Sequence, residues 1–276
     1  MVWPFSSSGN TKSTPSPPSD STHSHISWSS ILGSNENALP LSAALDWAPT
    51  FASTVLALGV INLYGRYLRR IARTGFIKPG MYRSRSLWGR VTSVGDGDGL
   101  QLYHMPGGRL AGWGWVRKVP TKKTELRGNT ISIRLAGIDA PEAAHFGKPA
   151  QPYAFEAHRW LINYVNQRNV RAYILRSDQY ERVIATVYCW RWGLRRDVGL
   201  EMLKRGLATT YEAKTGVEFG GREEVYRAAE AKAKAEKRGI WSLAQFESPR
   251  EYKERHNAKR AEKVAAEKVR KAVGKT

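Results

Sequence analysis

A chain of 276 residues with a single cysteine holds one well-buried domain with flanking segments, or two small domains, and excludes a scaffold built on intramolecular disulfides. Lysine and arginine number 44 against 24 aspartates and glutamates, a surplus of +20 that attracts polyanions such as nucleic acid or anionic lipid without specifying a fold. The histidines are scattered, and His23 and His25 stand in a Ser/Thr/Pro-rich stretch that offers no rigid ligand cage, so no zinc site is expected.

Residues 1–46 are dominated by Ser, Thr, Pro and Asn and read as a disordered tail, because such a composition buries too little apolar surface to order itself. The tail lacks the arginines of a mitochondrial presequence and the charged start and apolar run of a secretory signal. Residues 47–65 carry no charge, with Trp47 near one end and Tyr64 near the other. A helix of that length, at about 1.5 Å per residue, nearly matches a hydrocarbon layer of roughly 30 Å, so the segment is read as a transmembrane helix in a single-pass membrane protein. The competing reading is a buried core helix, but no neighbouring pattern is present to bury it. Residues 66–86 form a basic juxtamembrane linker, and between Arg66 and Arg90 every charge is positive. The positive-inside bias keeps the long carboxy-terminal part on the side where the chain is made.

From Leu87 onward the chain changes to short β-like runs, at 87–94, 99–104, 130–136, 170–178 and 183–191. Helical stretches are expected near 152–167, 196–205 and 222–237. The order suits an α+β domain over 87–243, a small antiparallel barrel with helices packed on it. Residues 107–128 read as an exposed basic loop, Cys189 as a packed thiol, and 244–276 as a charged tail, helical or disordered, outside the core.

Three segments carry chemistry: Gly95-Asp-Gly-Asp-Gly99, Arg134-Leu-Ala-Gly-Ile-Asp-Ala-Pro-Glu142 and Gln179-Tyr-Glu-Arg182. Each alone reads as an ordinary turn or strand end; the first also lacks the spacing of an EF-hand. Together they supply the parts for metal-assisted phosphodiester hydrolysis. Asp98, Asp139 and the backbone carbonyl of Ala140 are oxygen donors of the kind calcium takes. Glu142 can orient or deprotonate a water, and Arg134 and Arg182 present planar forks to phosphate oxygens.

The same three segments resemble the signature of the staphylococcal nuclease (thermonuclease) family: an Asp-Gly-Asp turn before a strand, then Arg-x-x-x-x-Asp-x-Pro-Glu, then Tyr-x-Arg. The resemblance covers 87–243, including Gly239-Ile-Trp-Ser242. It implies an OB-type five-stranded β-barrel with packed helices, hydrolysis of DNA and/or RNA phosphodiester bonds, and Ca2+ as cofactor. Carried over by position, it implies Arg134, Glu142 and Arg182 as catalytic, Asp139 and Asp98 as calcium ligands with the Ala140 carbonyl, and Tyr180 and Tyr211 as substrate-flanking phenols. Gly99 and Ala140 depart from the family, which usually has threonine there, and the 105–128 loop is longer than in the minimal domain. With its preceding apolar helix the whole chain resembles the fungal single-pass membrane endonucleases of this family, which implies a mitochondrial membrane. No protein partner is expected. Two other classes remain open at this stage: a catalytically silent nucleic-acid-binding module, and a membrane-surface scaffold, which would not explain the acidic turn beside paired arginines.

Overall fold

The structure, a computed structural model, describes residues 41–144, 148–212 and 217–273. The expected disordered tail lies outside the described residues as far as residue 40, as do His23 and His25.

The first element is helix α1, Leu41–Leu63, which starts before the charge-free window and contains Pro49. Its last turns widen over Tyr64–Leu68, where the Arg69 N–H donates to the Tyr64 carbonyl at 2.9 Å. Trp47–Leu68 is long and apolar enough to cross a membrane, and Phe51, Leu56 and Ile61 expose their side chains.

The linker that follows is tied to the barrel by backbone and side chain. Ile71 donates its N–H to Nδ1 of His104 at 3.0 Å, and the Arg70 guanidinium stacks on Tyr103 at 3.9 Å. His104 is buried, and burial first, then the neighbouring Arg70, lowers its pKa to about 4. The folded domain therefore binds fewer protons than the unfolded chain, whose histidines titrate near 6.5. Stability from this site is full above that value and is lost as pH falls through about 4, by up to about 3 kcal/mol. Urea unfolding at a series of pH values checks this: His104→Gln should flatten the acid limb, and identical slopes in both proteins would refute the assignment.

Strands β1 (Ser86–Val94), β2 (Gly99–His104) and β3 (Ile131–Leu135) form an antiparallel meander, with short helix α2 (Lys123–Leu126) in the long β2–β3 connection. Then come β4 (Ile138–Asp139), helix α3 (Ala154–Val165), and β5 (Asn169–Ser177) with β6 (Val183–Arg191), which pair antiparallel. β5 pairs with β1, and β3 pairs in parallel with β6, so β1, β2, β3, β6 and β5 close a five-stranded barrel. The resemblance implied this OB-like architecture. β7 (Leu194–Asp197) extends β6 as a hairpin, and β8 (Thr209–Thr210) pairs with β4. Helices α4 (Val198–Lys204), α5 (Glu223–Ala235) and α6 (Pro249–Val273) complete the order.

Period-two alternation fills the barrel. Val91, Leu102, Ile131, Ile133, Val170, Ala172, Ile174, Val183 and Ala185 have no exposed surface, and Cys189 is packed among them. Helices α3 and α4 close the core with Leu161, Val165, Met202 and Leu203.

Two expectations need correction. The 107–128 loop is not wholly exposed: Trp113 is buried against Tyr103, its ring edge-on at 5.8 Å, its Nε1 donating to the Pro106 carbonyl. A short apolar cluster with Met105 thus anchors the loop. Nor is the region after 244 separate from the domain, because α6 buries Tyr252, whose hydroxyl donates to the Pro149 carbonyl. Charged nearly all round, α6 shows no apolar stripe to announce that contact.

Candidate active site

Arg134 lies where β3 pairs with two strands at once, its Cα opposite Gly99 of β2 and Ile184 of β6. That register sets the Asp98 turn, Arg134 and the Arg182 end of β6 at one end of the barrel. Within the turn, the Gly95 N–H donates to the Gly99 carbonyl at 3.1 Å, and the Leu135 N–H donates to the Asp98 carbonyl at 2.8 Å. Gly97 is required by close approach: a Cβ there would stand 2.6 Å from the Ala140 Cβ. The glycine lets the loop carrying Asp98 settle against the segment carrying Asp139. Asp96 is exposed at the turn's surface.

Asp98 and Asp139 are buried at 7 % and 4 % exposure and converge on one guanidinium. Arg134 Nε meets Asp98 Oδ2 at 3.1 Å, and Nη2 donates to Asp139 Oδ1 at 2.9 Å. Burial pushes the Asp98 carboxyl up to about 7 against the opposing pull of Arg134. Burial likewise raises Asp139, opposed by Lys253 and Arg134. Burial alone would lower the Arg134 pKa, but the two carboxylates hold it raised.

Lys253, from α6, extends this cluster. Its ammonium lies 3.2 and 3.3 Å from the two Asp139 carboxylate oxygens and 2.8 Å from Glu142 Oε1. Glu142 is held at its backbone as well: its N–H donates to Gln151 Oε1 at 2.8 Å, and its carbonyl accepts from the Gln151 N–H at 2.9 Å. Gln151 is buried and donates through Nε2 to the Glu247 carbonyl at 3.2 Å, tying this loop to the start of α6.

Arg182 is placed by a different device. Asp178 accepts from the Tyr180 and Arg182 N–H groups at 2.8 and 2.9 Å, and from Arg182 Nε at 2.8 Å. Burial would raise the Asp178 pKa, but these hydrogen bonds hold it below the ordinary carboxylate range. Arg182, Arg134, Tyr180 and Tyr211 line one cleft of about 310 Å³. Tyr211 lies under the Arg134 guanidinium at 4.9 Å and donates its N–H to the Gly137 carbonyl at 2.9 Å. Tyr180 is exposed beside Arg182. Glu142 does not line this cleft; it joins the cluster from the α6 side, through Lys253.

Sequence reading singled out Asp98, Arg134, Asp139, Ala140, Glu142 and Arg182 and missed Gln151, Asp178 and Lys253. Asp178 is adjacent to the Tyr-x-Arg segment and its turn-forming chemistry is a legible signal. Nothing marks Lys253 among the many lysines of α6. Among the described residues no group of three His, Cys, Asp or Glu side chains is placed to hold a metal ion. The available set is two buried carboxylates and the adjoining Ala140 carbonyl, all oxygen. An all-oxygen set anchored on two buried carboxyl groups, whose charged forms a bound cation would favour against burial, suits a hard divalent cation such as calcium.

A model of the staphylococcal nuclease homologue family matches residues 132–243, from the strand bearing Arg134 to the turn after Trp241. The chain is 53 % identical over 262 residues to a probable endonuclease LCL3 of Verticillium alfalfae, covering 92 % of this chain and 91 % of the relative. It is 58 % identical over 221 residues to the protein of the same description in Pyricularia oryzae, with 80 % and 86 % covered. In Colletotrichum graminicola the figures are 54 % over 261 residues, 93 % and 95 %. With half its residues shared along nearly the full length of such relatives, and with this barrel, the chain belongs to the staphylococcal nuclease homologue family.

Proposed function

We propose that this chain is a membrane-anchored, calcium-dependent endonuclease that hydrolyses DNA and/or RNA phosphodiester bonds with low sequence specificity. The observation that carries the reading is Arg134 held between two buried carboxylates, with Glu142 joined to the same cluster and Arg182 across one cleft. Asp98, Asp139 and the Ala140 carbonyl hold the cation, which when bound supplies positive charge to the phosphate oxygens. Glu142 orients the attacking water and takes its proton as the new P–O bond forms, and the bond to the leaving sugar oxygen breaks with that oxygen taking a proton from solvent. Arg134 and Arg182 donate hydrogen bonds to the phosphate as negative charge accumulates in the transition state. Tyr211 and Tyr180 flank the substrate, where phenol faces accept any base or sugar. Phosphate-directed arginines carry no sequence information, which is why low specificity follows.

Trp47–Leu68 supplies the anchor, and the resemblance to fungal membrane endonucleases of the family supports a mitochondrial membrane as its address. The test uses the full chain in detergent micelles with end-labelled DNA and RNA, in calcium or in excess chelator. Cleavage in calcium alone is expected; equal cleavage in both would remove the metal from the account.

Lys253 stands on Asp139, one of the two carboxylates proposed to receive the cation, so the two compete. A partly exposed ion pair is worth about 1 kcal/mol, so Lys253→Met is expected to tighten calcium binding by roughly 3- to 10-fold. Calorimetric titration of the full chain reads this directly, and unchanged or weaker binding would contradict it.

A further inference from the structure

Strand register gives the barrel two distinct ends. β2 runs from Gly99, opposite Arg134, to His104, opposite Gly89. β6 runs from Val183, next to Arg182, to Arg191. The ion-pair cluster occupies the first end. The second gathers the loop after β2 and the β6–β7 turn, which meet across Trp88. Trp88 lies edge-on to Trp190 at 5.5 Å, and a Cβ at Gly108 would stand 3.3 Å from the Trp88 indole nitrogen.

This second end is unusually apolar at its tips. Leu110 is 101 % exposed and Trp192 98 %, with Trp115, Val116 and Leu194 each more than half exposed. Trp192 and Gly193 form the hairpin turn with φ of 52° and 75°, which projects the indole outward. The charges between these side chains are all positive, from Arg109, Arg117 and Lys118 in the loop and Arg191, Arg195 and Arg196 in the hairpin. The apolar span also arrives at this loop: the Leu68 side chain would lie 2.7 Å from a Cβ at Gly107.

One exposed tryptophan at a hairpin turn is unremarkable. Five large apolar tips among six cations, at the loop that packs against the end of an apolar span, match the aromatic and basic belt of a membrane interface. Nucleic acid would explain the arginines and indoles, but Leu110, Val116 and Leu194 offer it neither stacking nor hydrogen bonds. We propose that the end of the barrel opposite the ion-pair cluster rests on anionic phospholipid headgroups, with Leu110, Trp115 and Trp192 entering the interface. The active-site end then faces water, where a long polyanion reaches it without approaching the bilayer. This rests on the reading of Trp47–Leu68 as the anchor.

The test uses the full chain in phosphatidylcholine vesicles with and without phosphatidylserine. Spin labels are placed one at a time at Leu110→Cys, Trp192→Cys, Gln179→Cys near Arg182, and Leu58→Cys in the apolar helix. Collision with oxygen, which partitions into lipid, is compared with collision with a water-soluble nickel chelate. Labels at 58, 110 and 192 should favour oxygen and the label at 179 nickel, with phosphatidylserine deepening 110 and 192. Water-exposed labels at 110 and 192 with 58 in lipid would overturn the proposed contact alone. A water-exposed label at 58 would overturn the anchor and the contact with it. Shielding of 110 and 192 by added DNA and not by lipid would reassign the surface to nucleic acid.

Discussion

Glu142→Gln is expected to lower the rate of phosphodiester cleavage by about 10²- to 10⁴-fold, the range for loss of a positioned general base. Arg134→Ala is expected to cost about 10²- to 10³-fold, as for removal of a donor aimed at developing charge. Glu142→Gln keeps the size and the backbone bonds to Gln151 but cannot take a proton, so nucleic-acid binding should survive while turnover falls. Arg134→Ala leaves Asp98 and Asp139 buried without their shared guanidinium, so its folding must be checked independently. Arg134→Lys separates the effects, since it restores a charge but not the planar fork that spans two oxygens. Single-turnover cleavage beside filter binding reads both quantities. Full activity in Glu142→Gln would remove that residue from the chemistry, and full activity in Arg134→Lys would reduce Arg134 to a generic counter-charge.

The second large effect concerns stability. Asp197→Ala is expected to cost about 3–5 kcal/mol, the scale for breaking a buried, hydrogen-bonded ion pair. Asp197 caps α4 by accepting the Leu200 N–H at 3.1 Å, and it accepts from Tyr226 Oη at 2.8 Å and Arg222 Nη1 at 2.9 Å. Removing the carboxylate leaves a buried phenol, a buried N–H and a guanidinium without that partner. The damage reaches the active site through Tyr226, because a Cβ at Gly137 would stand 3.1 Å from the Tyr226 ring and 2.5 Å from Phe219. Gly137 turns the chain between Arg134 and Asp139 with φ of 71°. Urea unfolding measures the loss, with Asp197→Asn expected to fall between wild type and Asp197→Ala. A loss under about 1 kcal/mol would mean that solvent replaces these bonds without penalty.

The five barrel strands were legible because alternation is a local signal. The runs expected at 99–104 and 183–191 coincide with β2 and β6, and the others differ by a residue at one or both ends. The three chemical segments were legible because their residue types are contiguous in the chain. β4 and β8 were not, since two residues carry no periodicity and their pairing joins Asp139 to Thr209 across a long separation. Gln151 was hidden for a related reason: its partner is the backbone of Glu142, and backbone bonding has no sequence signature. Lys253 was hidden most deeply. Its role follows from Tyr252 burying against Pro149, one tertiary contact in a helix whose composition reads as solvent-facing.

The central claim, that this cluster cuts inside a nucleic-acid chain, is tested most directly with supercoiled circular plasmid, which has no end for an exonuclease to use. The full-length protein with calcium should convert it to nicked and linear forms, while Glu142→Gln leaves it supercoiled though bound. Wild-type protein that retards the plasmid in a gel yet leaves every circle intact would contradict the account and make the domain a nucleic-acid-binding module.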